Sequence, residues 1–303
     1  MTTVKRTQTH SIDIAYIAQR SRWLPLVVLP AAVVLLGAGW RPWLLMWALA
    51  VAIYLGLKWL TLADCREAGW APRSRVLGYL LLWPGMAGQP FFGGPPALRP
   101  RPGEWAIAVA KTALGLLLVY GVAARVAVFS QRAAGWVGML GIVLALHFGL
   151  FHVLALVWRS AGVAVRPIMN APLRAASLGE FWGQRWNLGF RDLAHAHVFR
   201  PLARKLGAVG ATLAAYAVSG VVHDVVISGP ARAGCGLPTL YFLLQGCGVL
   251  LEHSPAGRRF GLGRGAVGRL FTAIVTIAPL AMLFHRPFVE RIVLPMLSEI
   301  GAR

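Results

Sequence analysis

The stretch AAGWVGMLGIVLALHFGLFHVLALVW, residues 133–158, decides the fold because it contains no aspartate, glutamate, lysine or arginine. A helix needs roughly 20 residues, at about 1.5 Å each, to cross about 30 Å of hydrocarbon. The run exceeds that length without a formal charge. We therefore predict that residues 133–158 form a membrane-spanning helix.

The rest of the chain has the same character. Of its 303 residues, 57% are hydrophobic and 13% are charged, and its mean hydropathy is +0.64, outside the usual range of water-soluble globular proteins. Other uncharged runs lie at residues 24–40, 43–57, 206–222, 233–251 and 270–284, and residues 105–129 join them if Lys111 and Arg125 extend towards the headgroups. The sequence predicts an all-α, polytopic integral membrane protein with about 7–8 transmembrane helices plus interfacial helices.

Two further segments are apolar but interrupted. Residues 76–98 are uncharged, yet their four prolines and five glycines make a straight helix unfavourable, so we predict an interfacial or re-entrant segment. Residues 288–300 contain Glu290, Arg291 and Pro295. They predict either an eighth, short membrane element or a surface helix.

The basic residues alternate between the two sides of this predicted topology. The chain has 30 Lys and Arg against 10 Asp and Glu, a net charge of +20, and most of the basic residues fall in every second loop. An excess of Lys and Arg in cytoplasmic loops is typical of membrane proteins, so we predict that the N-terminus and the loop 159–205 are cytoplasmic. Anionic lipid or an anionic cofactor explains the charge better than DNA or RNA, so no nucleic-acid partner is expected.

Several other site types find little support in the sequence. Three cysteines without pair spacing predict neither a disulfide framework nor a zinc site. His195 and His197 have no third ligand nearby, and His147 and His152 are about 140° apart on a helix, so we predict no metal site. We expect His147 and His152 either to make satisfied interhelical contacts or, in one case, to touch a water- or substrate-filled passage. The sequence contains no Gly-x-Ser-x-Gly turn and no cysteine beside a plausible base, so it does not suggest a covalent acyl-enzyme. No linker divides the chain, which predicts one membrane-embedded domain, residues 1–303.

The sequence AAYAVSGVVHDVVIS, residues 214–228, places ionisable groups in an apolar helix. Spacings of 4, 3 and 4 bring Thr212, Tyr216, Ser219 and His223 onto one face, while Asp224 points about 100° away. The polar face either joins this helix to its neighbours or lines a passage in which neutral His223 acts as a general base. Asp224 either bonds a neighbouring helix or has a direct electrostatic role.

The second polar stretch is SLGEFWGQRWN, residues 177–187. Ser177 followed by Glu180 has the pattern of a capping box, which predicts a helix from about Leu178. If the helix continues, Glu180, Gln184, Asn187 and Arg191 share one stripe, and Trp182 and Trp186 lie beside it. An amphipathic interfacial helix of this kind either anchors the chain in the headgroup region or orients a polar substrate group.

Together these stretches resemble the membrane-bound O-acyltransferase superfamily, and within it the wax synthase (long-chain-alcohol O-fatty-acyltransferase) branch. The segments that carry the resemblance are SLGEFWGQRWN at 177–187, VSGVVHD at 218–224, LFHRPFVERIVLPMLSEIGA at 283–302 and RVLGYLLLWPGMAGQPFF at 75–92. The resemblance is best over residues 177–302. Members usually have glutamate after the histidine, where this chain has Asp224, so the role of that position is the least certain to carry over.

The resemblance implies an enzyme that transfers a fatty acyl group from acyl-CoA to the hydroxyl of a lipophilic alcohol, with His223 and Asn187 as catalytic residues. Acyl-CoA is then a co-substrate and no cofactor is bound. The residues expected to line the substrate site or channel are Trp182, Arg185, Trp186, Tyr216, Ser219 and Asp224. Arg185 and Arg191 are the expected contacts for the phosphates of coenzyme A.

A second hypothesis from another class is a small membrane transporter or proton-coupled carrier. In such a protein His223 and Asp224 would form a polar relay. Inverted hydropathy repeats would favour a carrier, and the sequence shows none. The predicted partners of the acyltransferase are acyl-CoA, a lipophilic alcohol and the bilayer itself.

Overall fold

The computed structural model describes residues 17–302, and every regular element in this range is helical. The predicted cytoplasmic position of the N-terminus concerns residues outside the described range. The longer helices are α1 Leu24–Leu36, α2 Pro42–Ala63, α3 Arg73–Leu82, α4 Pro102–Ala127, α5 Gln131–Ser160, α6 at residues 178–185, α7 Leu188–Ala231, α8 Leu237–His253, α9 Gly265–Leu283 and α10 at residues 286–299. Single helical turns lie at Arg66–Trp70, Gln89–Phe92, Pro172–Arg174 and Pro255–Arg259.

The seven predicted membrane runs all fall on helices, and the all-α polytopic membrane fold is confirmed. Among residues 17–302, five helices are long and apolar enough to cross a bilayer, namely α2, α4, α5, α7 and α9. The other two are shorter. Helix α1 has 13 residues and measures about 20 Å, and α8 has 17 residues.

Helix α7 changes direction at a glycine. Its 44 residues would extend about 66 Å if they were straight, roughly twice the thickness of a bilayer core. Gly207 interrupts it with φ 68° and ψ 177°, a backbone conformation that only glycine adopts readily. The 24 residues after Gly207 carry the predicted polar face, so the run predicted at 206–222 extends to Ala231.

The two interrupted segments differ in their packing. Residues 76–98 do not form one straight helix, as expected: α3 ends at Leu82, the chain is irregular to Gly88, and Gln89–Phe92 forms one turn. Residues 286–299 form α10, which packs on α2 and α5 and buries Ile292 and Leu297 completely. One face of this segment is therefore part of the bundle core, while Glu290 and Arg291 are exposed on the other.

Helices α4 and α5 approach closely through small residues. A Cβ atom added at Gly115 would lie 2.4 Å from the Ala145 nitrogen, and one added at Gly149 would lie 2.3 Å from the Thr112 hydroxyl oxygen. Contacts of this kind are common between membrane helices, where the driving force is close packing because lipid is as apolar as the side chains. Apolar side chains such as Leu140, which is 60% exposed, point outwards from the bundle. They form the surface expected against lipid.

Gly115→Ala should therefore destabilise the protein. Its new methyl group meets backbone atoms of α5, which cannot rotate away, so we expect a loss of about 1–3 kcal/mol. Gly103→Ala, on the same helix with no atom within 4 Å of the added Cβ, is the matched control and should change stability by less than about 1 kcal/mol. Thermal unfolding in detergent measures both; equal unfolding temperatures would contradict the packing argument.

Candidate active site

One cavity of about 830 Å³ collects residues from both polar stretches of the sequence. Its volume is within the range of small-molecule sites. Helices α2, α5, α6, α7 and α8 all contribute to its wall, so residues far apart in sequence share it. The predicted site residues in its lining are Trp182, Trp186, Asn187, Tyr216, Ser219 and His223.

His223 lies at the end of the α-helical part of α7, immediately before the wider turns of Asp224–Ser228. Its Nδ1 is 2.7 Å from the Ser219 carbonyl oxygen. A carbonyl only accepts hydrogen bonds, so in the neutral ring Nδ1 carries the proton and Nε2 keeps its lone pair. The ring packs against Phe242, with 4.4 Å between ring centroids. The histidine therefore presents a basic nitrogen from a fixed ring.

Asn187 separates α6 from α7. Trp186 is extended, and Asn187 has φ 41° and ψ 61°, the left-handed conformation that asparagine tolerates better than most residues. The helix predicted from Leu178 does form, but it does not continue through Asn187, so Glu180, Gln184, Asn187 and Arg191 do not share one stripe. The Asn187 side chain does not cap α7, although its carbonyl oxygen accepts from the Arg191 N–H at 3.1 Å. Its carboxamide is thus available to the cavity.

A neighbouring loop holds this turn in place. The Asn170 N–H donates to the Arg185 carbonyl at 2.8 Å, and the Leu188 N–H donates to the Ile168 carbonyl at 2.9 Å. The Asn187 N–H itself lies 3.4 Å from the Met169 sulfur. Residues 168–170 thus bond the chain on both sides of Asn187 and fix the left-handed turn.

The indoles of Trp182, in α6, and of Trp186, just after it, are fixed by different contacts. The Trp182 Nε1–H donates to the Gln245 side-chain oxygen at 3.3 Å, and Gln245, which is fully buried, donates in turn to the Val275 carbonyl at 2.7 Å. Trp186 stacks on Phe181 with 5.5 Å between centroids. These contacts tie the aromatic wall of the cavity to α8 and α9.

Asp224 does not line the cavity. Its carboxylate accepts hydrogen bonds from the Ser228 hydroxyl at 2.8 Å, the Gly236 N–H at 2.9 Å and the Thr239 N–H at 3.0 Å, and also from the Thr239 hydroxyl. Gly236 is the residue before α8 and Thr239 is in its first turn. Asp224 of α7 therefore caps α8, and the channel-lining position predicted for it is not observed.

Glu252, near the end of α8, caps α6 in the same way. Its side chain is 4% exposed and accepts from the Leu178 N–H at 2.5 Å and the Gly179 N–H at 3.3 Å. Of the predicted capping box, the Ser177 hydroxyl does accept from the Glu180 N–H at 3.0 Å. The Glu180 carboxylate, however, accepts from the Ala176 N–H instead, so only half of the box forms as predicted.

Arg185 also lies outside the cavity lining. Its Nε is 2.7 Å from Glu180, and its Nη1 is 3.3 Å from the carbonyl oxygens of Asn170 and Ala171. The hydrogen bond from Ala176 and the Arg185 guanidinium together hold the pKa of Glu180 below its usual value. Arg185 thus stabilises the loop beside Asn187 through hydrogen bonds. It does not line the cavity as the sequence predicted.

A second cavity of about 730 Å³ adjoins the first. Trp83, Ile168 and Arg191 belong to the lining of both. Arg159 and Arg166 add two more guanidinium groups to the second cavity, whereas Arg191 is the one lysine or arginine that lines the first within residues 17–302. An apolar cavity and a more basic one therefore meet at a shared wall.

Sequence reasoning missed two residues that organise the site. Glu252 is a single acidic residue at the end of an apolar run, which was the available signal, and Gln245 is a lone carboxamide within the same run. Of the two alternatives for His147, the structure favours the contact with the passage, because His147 lines the cavity and its Nδ1 makes no hydrogen bond within the described chain. No group of three or more potential metal ligands occurs among residues 17–302.

Known proteins match the segment that builds this site. Residues 165–244, which contain both Asn187 and His223, match the Membrane bound O-acyl transferase family. Over a longer segment, the chain is 34% identical across 146 residues to the probable long-chain-alcohol O-fatty-acyltransferase 3 of Arabidopsis thaliana, a match that covers 44% of this chain and 43% of that protein.

The chain is also similar to two further acyltransferases. The long-chain-alcohol O-fatty-acyltransferase of Simmondsia chinensis is 34% identical over 100 residues, which cover 30% of this chain and 28% of that protein. The acyl-CoA–sterol O-acyltransferase 1 of Arabidopsis thaliana is 29% identical over 92 residues, covering 28% and 27%. The matches with these relatives span less than half of their lengths. The resemblance of the sequence to the wax synthase branch is confirmed.

Glu252→Ala should destabilise the α6 region. The change leaves two N–H groups at the buried start of α6 without their acceptor, and such groups cost about 1–3 kcal/mol. Glu299→Ala removes a carboxylate that is 43% exposed and pairs with Arg41, so it should change stability by less than about 1 kcal/mol. Thermal unfolding and hydrogen exchange at Leu178 measure the effect; unchanged protection there would contradict it.

Proposed function

We propose that the chain is a membrane-embedded acyltransferase that moves a fatty acyl group from acyl-CoA to the hydroxyl of a lipophilic alcohol, as the wax ester synthases do. One observation carries the proposal: the Nδ1–H of His223 is held by the Ser219 carbonyl, which leaves Nε2 basic at a cavity that Asn187 also lines. A base and a carboxamide at one apolar cavity are the groups that acyl transfer to an alcohol needs.

The proposed reaction begins with proton transfer to His223. As its Nε2 takes the hydroxyl proton, the alcohol oxygen attacks the thioester carbonyl carbon and forms a tetrahedral oxyanion. When this intermediate collapses, the carbon–sulfur bond breaks and the coenzyme A thiolate takes the proton from the imidazolium. A positioned histidine typically contributes 10²- to 10⁴-fold to such a step. The Asn187 carboxamide either donates to the oxyanion or orients the alcohol.

The pair of cavities supports the choice of substrates. Leu146, Phe151 and Leu154 of α5 give the first cavity an apolar wall that suits an acyl chain and the tail of an alcohol. Arg159, Arg166 and Arg191 line the second, and guanidinium groups bind phosphates well. We propose that the phosphates of coenzyme A bind in this second cavity. The loop 159–205, which we assign to the cytoplasmic side, then lies on the same side as the coenzyme, and the thioester reaches the wall that the two cavities share.

The carrier hypothesis has less support. It needs Asp224 as a proton relay beside His223, but the Asp224 carboxylate accepts four hydrogen bonds, three from Gly236 and Thr239 at the start of α8 and one from Ser228. The side chain also lies outside the cavity lining. A capping carboxylate that is already fully paired is poorly suited to a relay.

His223→Ala should abolish most ester formation. Membranes that contain the protein are supplied with labelled palmitoyl-CoA and a panel of alcohols, and we expect kcat to fall by about 10²- to 10⁴-fold because the base is lost. His253→Ala is the matched control, since its Nδ1 also bonds a carbonyl four residues earlier, at 2.8 Å from the Val249 oxygen, but its ring lies outside the cavity. Equal ester yields from wild-type protein and His223→Ala would refute the assignment.

Asn187→Gly tests the carboxamide separately from the backbone. Glycine adopts the left-handed conformation of residue 187 without strain, so the fold should persist while the amide is removed. We expect kcat to fall by about 10²-fold at an unchanged protein level in the membrane. If the protein level falls and the specific activity stays at the wild-type value, Asn187 has the anchoring role instead.

A further inference from the structure

A second histidine reaches the first cavity from the opposite part of the sequence. His147 belongs to the wider turns at Leu144–Leu150 of α5 and packs against Phe151, with 5.3 Å between ring centroids. It lines the cavity together with Leu146 and Leu154. Turns of this type inside an α-helix are frequent at functional sites. The proposed reaction described so far makes no use of this side chain.

The Nδ1 atom of His147 has no hydrogen-bond partner among residues 17–302, although it is enclosed by the protein. Buried polar atoms in native proteins are nearly always paired, because an unpaired one loses its hydration without compensation. If this histidine only filled space, a leucine or phenylalanine at position 147 would make the protein more stable. The ring is therefore best explained by what its other nitrogen, Nε2, contributes.

The environment of Nδ1 sets the position of the proton. An enclosed N–H without an acceptor is among the rarest defects in native structures, so the neutral ring favours Nδ1 as the unprotonated atom and Nε2 as the N–H. His223 has the opposite arrangement, because the Ser219 carbonyl holds its proton on Nδ1. The cavity thus combines a histidine that accepts a proton with a histidine that donates a hydrogen bond.

We propose that His147 donates a hydrogen bond from Nε2 to the carbonyl oxygen of the acyl thioester and stabilises the oxyanion formed there. This inference rests on the proposed function. Negative charge develops on the carbonyl oxygen of the substrate, so a fixed hydrogen-bond donor stabilises the transition state most when it is directed at that atom. The apolar neighbours Leu146 and Phe151 strengthen the hydrogen bond because they exclude water. The proton stays on Nε2 throughout, while His223 alone transfers a proton.

Three substitutions separate donation from packing. His147→Gln offers an amide N–H near the position of Nε2, His147→Asn offers one near Nδ1, and His147→Leu offers none. We expect His147→Gln to keep kcat within about 3-fold of wild type, whereas His147→Asn and His147→Leu lose about 10²-fold in kcat with little change in the KM for palmitoyl-CoA. The unfolding temperature of His147→Leu should equal or exceed that of wild type, because the unpaired nitrogen is gone.

His152→Leu is the control on the same helix, since His152 does not line the cavity, and it should keep near wild-type kcat. Ester formation by the wild-type protein tests the proposed function, and without it both proposals fail. If the wild type forms ester and His147→Leu is equally active, only the role of His147 is overturned. The same conclusion follows if His147→Gln is as inactive as His147→Leu, and this comparison decides the question even if the leucine variant does not fold.

Discussion

The N-termini of two helices in this protein are capped by carboxylates from other helices, and the geometry of the site depends on these caps. Asp224 of α7 accepts the free N–H groups at the start of α8, and Glu252 near the end of α8 accepts those at the start of α6. Helix α8 therefore connects the segment of His223 to the segment of Asn187 through charge-assisted hydrogen bonds at both of its ends. In a low-dielectric interior these bonds are strong, and removal of either carboxylate leaves donors unpaired.

The need to pair polar groups in an apolar interior also explains how the cavity is organised. Three of the groups that line it are held by hydrogen bonds: the Ser219 carbonyl holds His223, residues 168–170 hold the turn at Asn187, and Gln245 holds Trp182. The enclosed Nδ1 of His147, by contrast, has no partner within the described chain. A network of this kind pre-organises a base and donors before the substrate arrives, which is the main way in which a protein stabilises a transition state.

The sequence predicted the parts of the structure that follow from local periodicity. The uncharged runs became helices, and the 4, 3, 4 spacing correctly placed Tyr216, Ser219 and His223 on one face of α7. It failed where a distant partner decides the conformation. Asn187 follows α6 in a left-handed turn that residues 168–170 hold by bonding the chain on both sides of it. Glu252 of α8 caps the first turn of α6, while Glu180 accepts from the Ala176 N–H and does not complete the predicted capping box.

By itself the sequence determined that the protein is a bundle of membrane helices, since the length and apolarity of a run are local properties, and it singled out His223 and Asn187 by resemblance. Only the tertiary structure decided which polar residues face the cavity and which hold the helices together. Asp224 and Arg185 proved to be structural contacts, whereas His147 joined the lining. The reason is physical: a carboxylate or guanidinium in an apolar interior needs a partner, and which partner lies within reach is set by helix packing and not by sequence spacing.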